Sequence, residues 1–156
     1  KATKYFKDRG EIARGYEEFA KEMSQAAKRF EFMSFDYGEM QARPDFSLRI
    51  YSKHEVIPFF DENIKREELF AKSDITYDVT FAHVKDSYEE AGVKFIELKT
   101  QMVALIDMGI LELLEMLKDK VDEKIYKQEL EKVKTLIMPN FLGERFKMIK
   151  FRKQSV

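Results

Sequence analysis

The chain has 156 residues, 44% of them hydrophobic and 37% charged, with a net charge of −1. That length and mix predict one domain, residues 1–156, with a sizeable core, and argue against disorder. The near-zero charge excludes a bulk field that draws in nucleic acid or an acidic membrane. With no cysteine there is no disulfide frame and no thiolate chemistry, which fits a reducing cytoplasm. Three prolines and six glycines leave little room for the many turns of an all-β fold.

Residues 3–32 read as helix, because Ile12, Tyr16, Phe19, Ala20, Met23, Ala27 and Phe30 recur at threes and fours. Gly10 marks a plausible break. Residues 33–51 are irregular, punctuated by Gly38 and Pro44, with a short helix near Tyr37–Ala42. Ser52 and Glu55 have the spacing of a capping box, and Pro58 sets a helix start near Ile57. Ile57, Phe60 and Ile64 form its inner stripe. Ser73 or Asp74 caps the next helix, whose stripe is Tyr77, Phe81, Val84, Tyr88 and Ala91, stopped by Gly92.

A long apolar helix is predicted from Lys94 to Lys120. Phe95, Leu98, Met102, Leu105 and Ile106 form one face, and Ile96, Val103, Ile110, Leu114 and Leu117 a second. Two apolar faces need two covers, and one of them can be a second subunit. Ile96, Val103, Ile110 and Leu117 recur every seven residues, the spacing of a helix seam. A last helix is predicted over Lys124–Phe151, kinked at Pro139, with Leu136, Leu142 and Phe146 outside its inner stripe. Two copies of this helix pair predict a homodimer through a four-helix bundle, with Ile96, Val103, Ile110, Leu117 and Leu142 at the interface.

Motifs for catalysis are missing. There is no His-Glu-x-x-His, no Gly-x-Gly-x-x-Gly, no phosphate-binding loop and no Gly-x-Ser-x-Gly. The two histidines, His54 and His83, are too few for a His-rich metal site. On the predicted helix His83 lies about 140° from Tyr88 and faces outward, and His54 falls on a polar rim. The expectation is a protein that is not an enzyme.

One pattern resembles a known family. Leu69-Phe70, Asp74, Tyr77 and Gly92 match the run seen in bacterial globin-coupled sensors, whose proximal haem histidine stands eleven residues after the Tyr and four before the Gly. Here Tyr88 holds that position. The chain is therefore similar to the haem-free branch of that superfamily, in stress-signalling proteins and in sporulation-inhibiting relatives of sensor kinases. The resemblance implies an all-α, globin-like sensor domain of six to eight helices, dimeric, without haem. It implies a fatty acid in an apolar cavity, with a halide ion nearby, and a role in a sensor-kinase, stress or sporulation pathway. The expected lining is Phe60, Ile64, Phe81, Tyr88, Phe95 and Met102, with Arg66 or Lys94 at the mouth. Two other readings stay open: a haem-binding sensor of gas or redox state, and a ligand-free helical scaffold.

Overall fold

The computed structural model describes residues 4–6, 9–52 and 55–154. Its order is α1 (Tyr16–Ala26), β1 (Phe30–Glu39), β2 (Arg49–Ser52), β3 (Glu55–Pro58), α2 (Arg66–Leu69), β4 (Asp74–Thr76), β5 (Val79–Thr80) and α3 (Phe81–Glu90). There follow β6 (Lys94–Thr100), α4 (Gln101–Asp107), α5 (Ile110–Lys118), α6 (Glu123–Ile137), a π-helical turn (Pro139–Gly143) and β7 (Phe146–Lys153).

Two sheets carry the fold. The larger has the order β5-β1-β7-β6, and the smaller is β3-β2-β4. β7 runs antiparallel to both its neighbours, and β5 runs parallel to β1 at Gly38 and Glu39. The core lies where α1 and α3 meet the larger sheet. Ala20, Phe81, Val84, Tyr88, Val93, Ile149 and Phe151 are buried there. The Tyr88 ring stacks on Phe151 at 4.2 Å and on Phe32 at 5.2 Å. These contacts tie α3 to β1 and β7, and stacked rings add to the gain from their burial.

The all-α, globin-like expectation is overturned, and each misplaced helix has a local cause. Among the described residues of the first thirty, α-helix is confined to α1. Gly15 precedes it in a left-handed conformation (φ 100°). Phe30, Phe32 and the aromatic residues after them suit a pleated, half-buried surface, and they form β1. Ser52 and Glu55 are opposite partners in the β2–β3 hairpin, not a capping box. His54 lies outside the described residues. Pro58 ends β3, a strand paired on one side. Asp74 begins β4, so Tyr77 lies before the helix that carries Tyr88.

The expected Lys94–Lys120 helix is three elements. Phe95 and Leu98 face the core from β6, which pairs with β7 through an irregularity between Phe95 and Glu97. Thr100 caps α4 by accepting from the Val103 N–H at 3.3 Å. Gly109, with φ 87°, separates α4 from α5. The last helix stops at Ile137, since a residue before proline leaves the helical region. Ile96, Val103, Ile110, Leu117 and Leu142 therefore lie on a strand, two helices and a turn rather than on one pair of long helices.

Two helices match expectation in their central spans. α3 buries Phe81, Val84 and Tyr88, Gly92 follows it with φ 76°, and α6 spans most of its expected first half.

The Tyr88 hydroxyl has no hydrogen-bond partner among the described residues. Tyr88→Phe should be neutral or stabilise the chain by up to about 1 kcal/mol in urea unfolding, because it removes an unsatisfied polar group. Burial pushes the Tyr88 phenol up to about 12. The folded state then favours the neutral form. Its contribution is complete below the ordinary value of 10.0 and is lost as pH rises through about 12. Alkaline unfolding between those values should be shallower in Tyr88→Phe, read by circular dichroism.

Candidate functional site

The polar residues converge at the carboxyl end of β1. There β1 and β5 approach so closely that a Cβ on Gly38 would lie 2.1 Å from the Val79 carbonyl oxygen. Only glycine allows that approach. It brings Asp78, Val79 and Thr80 beside Glu39. This is the carboxyl end of the one parallel pair in the sheet, and ligands of parallel α/β sheets sit outside the carboxyl ends of the strands.

Asp78 organises the crevice. Its Oδ1 accepts from Arg49 Nη1 at 2.8 Å, and its Oδ2 accepts from Arg43 Nη1 at 3.0 Å. The Asp78 N–H donates to Ser47 Oγ at 2.7 Å. Ser47 Oγ in turn donates to Glu11, which also accepts from the Ser47 N–H at 2.5 Å and the Leu48 N–H at 3.2 Å. One carboxylate thus latches the segment before α1 onto the loop before β2. Arg49 is mostly buried. It donates to the Ser47 carbonyl and to the Tyr51 hydroxyl, and its guanidinium lies 5.1 Å from the Tyr37 ring centre. Glu39 pairs with Lys147 of β7 at the outer rim.

A second cluster adjoins the first. The Tyr16 and Tyr77 hydroxyls are 2.6 Å apart. Burial, and then the hydrogen bond with Tyr77, raise the Tyr16 pKa well above the usual phenol range. His83 is 3% exposed, with Nε2 3.0 Å from Glu17 Oε1 and the rings of Tyr5 and Tyr16 at 4.9 and 5.2 Å. The expectation of an outward His83 is therefore corrected: α1 covers the side of α3 that was assigned to solvent. Tyr5 donates to Asp86 at 2.8 Å. A hydrogen bond from Lys4 holds the Asp86 carboxyl below its usual range.

The enclosed space is small. The halves lined by Glu39, Arg43, Asp78 and Thr80, and by Tyr16, Tyr77 and His83, each hold about 10 Å³, roughly the room one water needs. Among the described residues no group of acidic or histidine side chains could hold a metal ion.

The expected ligand residues are scattered. Phe81 and Tyr88 are in the core, and Phe95 packs against it from β6. Phe60 is half-exposed in the turn after β3, Ile64 lies in the next loop, and Met102 is on α4. Rings of Phe32 and Phe151 fill the space beside Tyr88. The residues that do converge, Glu11, Glu39, Arg43, Ser47, Asp78 and Thr80, were not singled out. The available signal was Tyr37-Gly38-Glu39 after an aromatic alternating run, which reads as a strand ending in a close approach.

No protein-family model matches the chain, and no curated protein matches it. Two solved structures from Burkholderia thailandensis share its fold. One is an uncharacterized protein of the COG1565 superfamily, with TM-score 0.76 and 22% identity, covering 91% of this chain and 38% of that one. The other is a COG1565 superfamily member described as a candidate methyl transferase and bound to S-adenosyl-homocysteine. It has TM-score 0.71 and 21% identity, covering 91% of this chain and 36% of that one. The chain thus spans less than two fifths of either neighbour.

These neighbours are mixed α/β proteins, and they overturn the globin resemblance together with what rested on it. The haem-free sensor function, the fatty acid and halide, the sporulation role, the haem-sensor and scaffold alternatives, and the expectations of no enzyme and no cofactor all fall with that fold. Among the described residues no helix is long and apolar enough to cross a membrane.

Asp78→Ala would strand the charge of Arg49 in a mostly buried place and should cost about 3 kcal/mol. Arg43→Ala removes a half-exposed partner and should cost under about 1 kcal/mol. Urea unfolding of the two variants checks that order.

Proposed function

We propose that this chain forms part of an S-adenosylmethionine-dependent methyltransferase, and that its crevice at the ends of β1 and β5 is a wall on the methyl-acceptor side. The observation that carries the reading is the fold shared with the neighbour bound to S-adenosyl-homocysteine. The crevice supports it by position, at the carboxyl end of the β1–β5 parallel pair, where parallel α/β sheets bind ligands.

The residues of the crevice do not fit a whole cofactor. A pocket for a molecule of that size encloses about 300–1,000 Å³, against about 10 Å³ in either half of the crevice. The one glycine at the end of β1 is occupied by the Val79 backbone rather than by open space. The chain carries no glycine-rich loop following a strand. The cofactor, which supplies the methyl group when bound, belongs to another part of the protein. This chain's residues have a simpler task. Arg43 and Asp78 hold each other in place at the rim, Glu39 and Thr80 present polar atoms to the crevice, and Glu11 fixes the loop before β2 at its flank.

The test is a chimera in which this chain replaces the matching part of the S-adenosyl-homocysteine-bound neighbour. Calorimetry should show that the folded chimera binds S-adenosyl-homocysteine, whereas the chain alone should show no heat of binding. A chimera that melts cooperatively yet fails to bind removes the reading. Tight binding by the chain alone removes the assignment of the cofactor to another part.

A further inference from the structure

The segment that leads into α1 is held to the fold in an uneven way. From residue 9 to residue 15 no residue is buried. Among the described residues no backbone–backbone hydrogen bond ties residues 9–14 to another segment, and no strand includes them. Arg9 pairs with Asp45 at 3.5 Å, but both side chains are exposed, and such a pair adds little. Gly15 ends the segment with φ 100° and open space where a Cβ would stand. Glycine there gives the backbone a point at which to swing.

One side chain, Glu11, carries most of the attachment. It accepts from the Ser47 N–H at 2.5 Å, from the Ser47 hydroxyl, and from the Leu48 N–H at 3.2 Å. Two consecutive peptide N–H groups and a hydroxyl around one carboxylate form a nest for an anion. The nest keeps its shape through contacts that do not involve Glu11. The Asp78 N–H donates to Ser47 Oγ at 2.7 Å, the Phe59 N–H donates to the Leu48 carbonyl at 3.0 Å, and Arg49 Nη1 donates to the Ser47 carbonyl at 2.8 Å. The same guanidinium brings positive charge close by, and its Nη2 is buried without a hydrogen-bond partner. The seat is thus built in advance, which lowers the cost of filling it, whereas its occupant rides on a weakly held segment. Glu11 also lines both halves of the crevice.

We propose that residues 9–14 are a strap whose Glu11 side chain fills a carboxylate-binding seat at Ser47 and Leu48, and that the carboxylate of a small organic acid displaces it and opens the crevice. In the closed form the chain's own carboxylate makes the hydrogen bonds that the acid would make. In the open form Ile12 and Ala13, which line the half beside Tyr16, Tyr77 and His83, move off with the strap. The inference rests on this seat and not on methyl transfer, so it stands or falls apart from the proposed function.

Propionate, which carries the end of a glutamate side chain, is the probe, with propionamide and chloride as controls. Trypsin should cut the Glu11→Ala chain after Arg14 about tenfold faster than the unchanged chain, because cleavage follows the open population. The bond after Lys85 in α3 should stay resistant in both. Propionate should shift the Ser47 and Leu48 amide resonances of Glu11→Ala saturably, and the controls should not. The unchanged chain should need more propionate for the same shifts, since a tethered carboxylate competes at an effective concentration of about millimolar or above. Its cleavage after Arg14 should quicken as those shifts grow. Equal cleavage of Glu11→Ala and the unchanged chain overturns the strap. Unmoved amides, or propionamide as effective as propionate, overturn the seat. Amide shifts in the unchanged chain without faster cleavage overturn the opening. If Glu11→Ala does not fold, Glu11→Gln keeps the length without the charge, and the response of the unchanged chain to propionate decides by itself.

Discussion

The stacking of Tyr88 between Phe32 and Phe151 is the contact on which the rest of this structure depends. It joins one helix to two strands that are far apart in the chain. α3 can lie on the sheet only in the position these rings allow, and that position places the start of α3 against the end of β1. Val79 and Thr80 immediately precede α3, so they are delivered beside Gly38 and Glu39. The crevice is therefore a consequence of aromatic packing, not of its own polar contacts.

The polar contacts then hold what the packing has brought together. Glu11, Ser47 and Asp78 form a chain of hydrogen bonds linking three segments with little regular structure of their own. Buried polar networks of this sort are stable only when nearly every member is satisfied. Here Arg49 Nη2 is the exception, with no hydrogen-bond partner, and the guanidinium faces the Tyr37 ring instead. The smaller sheet β3-β2-β4 adds no side chain to the core cluster. It delivers Arg49 and leads through Thr76 to Asp78.

The small volume of the crevice follows from the same close approach, because the Val79 backbone fills the space at the end of β1. The exposed apolar residues Leu111, Leu113 and Met116 of α5 do not line the crevice.

Local sequence determined those features whose cause is local. The helix holding Phe81, Val84 and Tyr88, its stop at Gly92, the body of α6 and its end before Pro139 all follow from spacing and from backbone chemistry within one segment. Tertiary structure decided the rest. Phe95, Leu98 and Met102 have helical spacing, yet the first two lie on a strand because β7, some fifty residues later, pairs with them. Short apolar runs satisfy either period, and only the distant partner selects one. His83 is buried because α1 returns over its side of α3, a fact absent from the helix itself. The convergence of Glu11, Ser47, Arg43 and Asp78 likewise has no sequence signature. Those residues come from three separate segments, and only the approach of β5 to Gly38 puts them at one place.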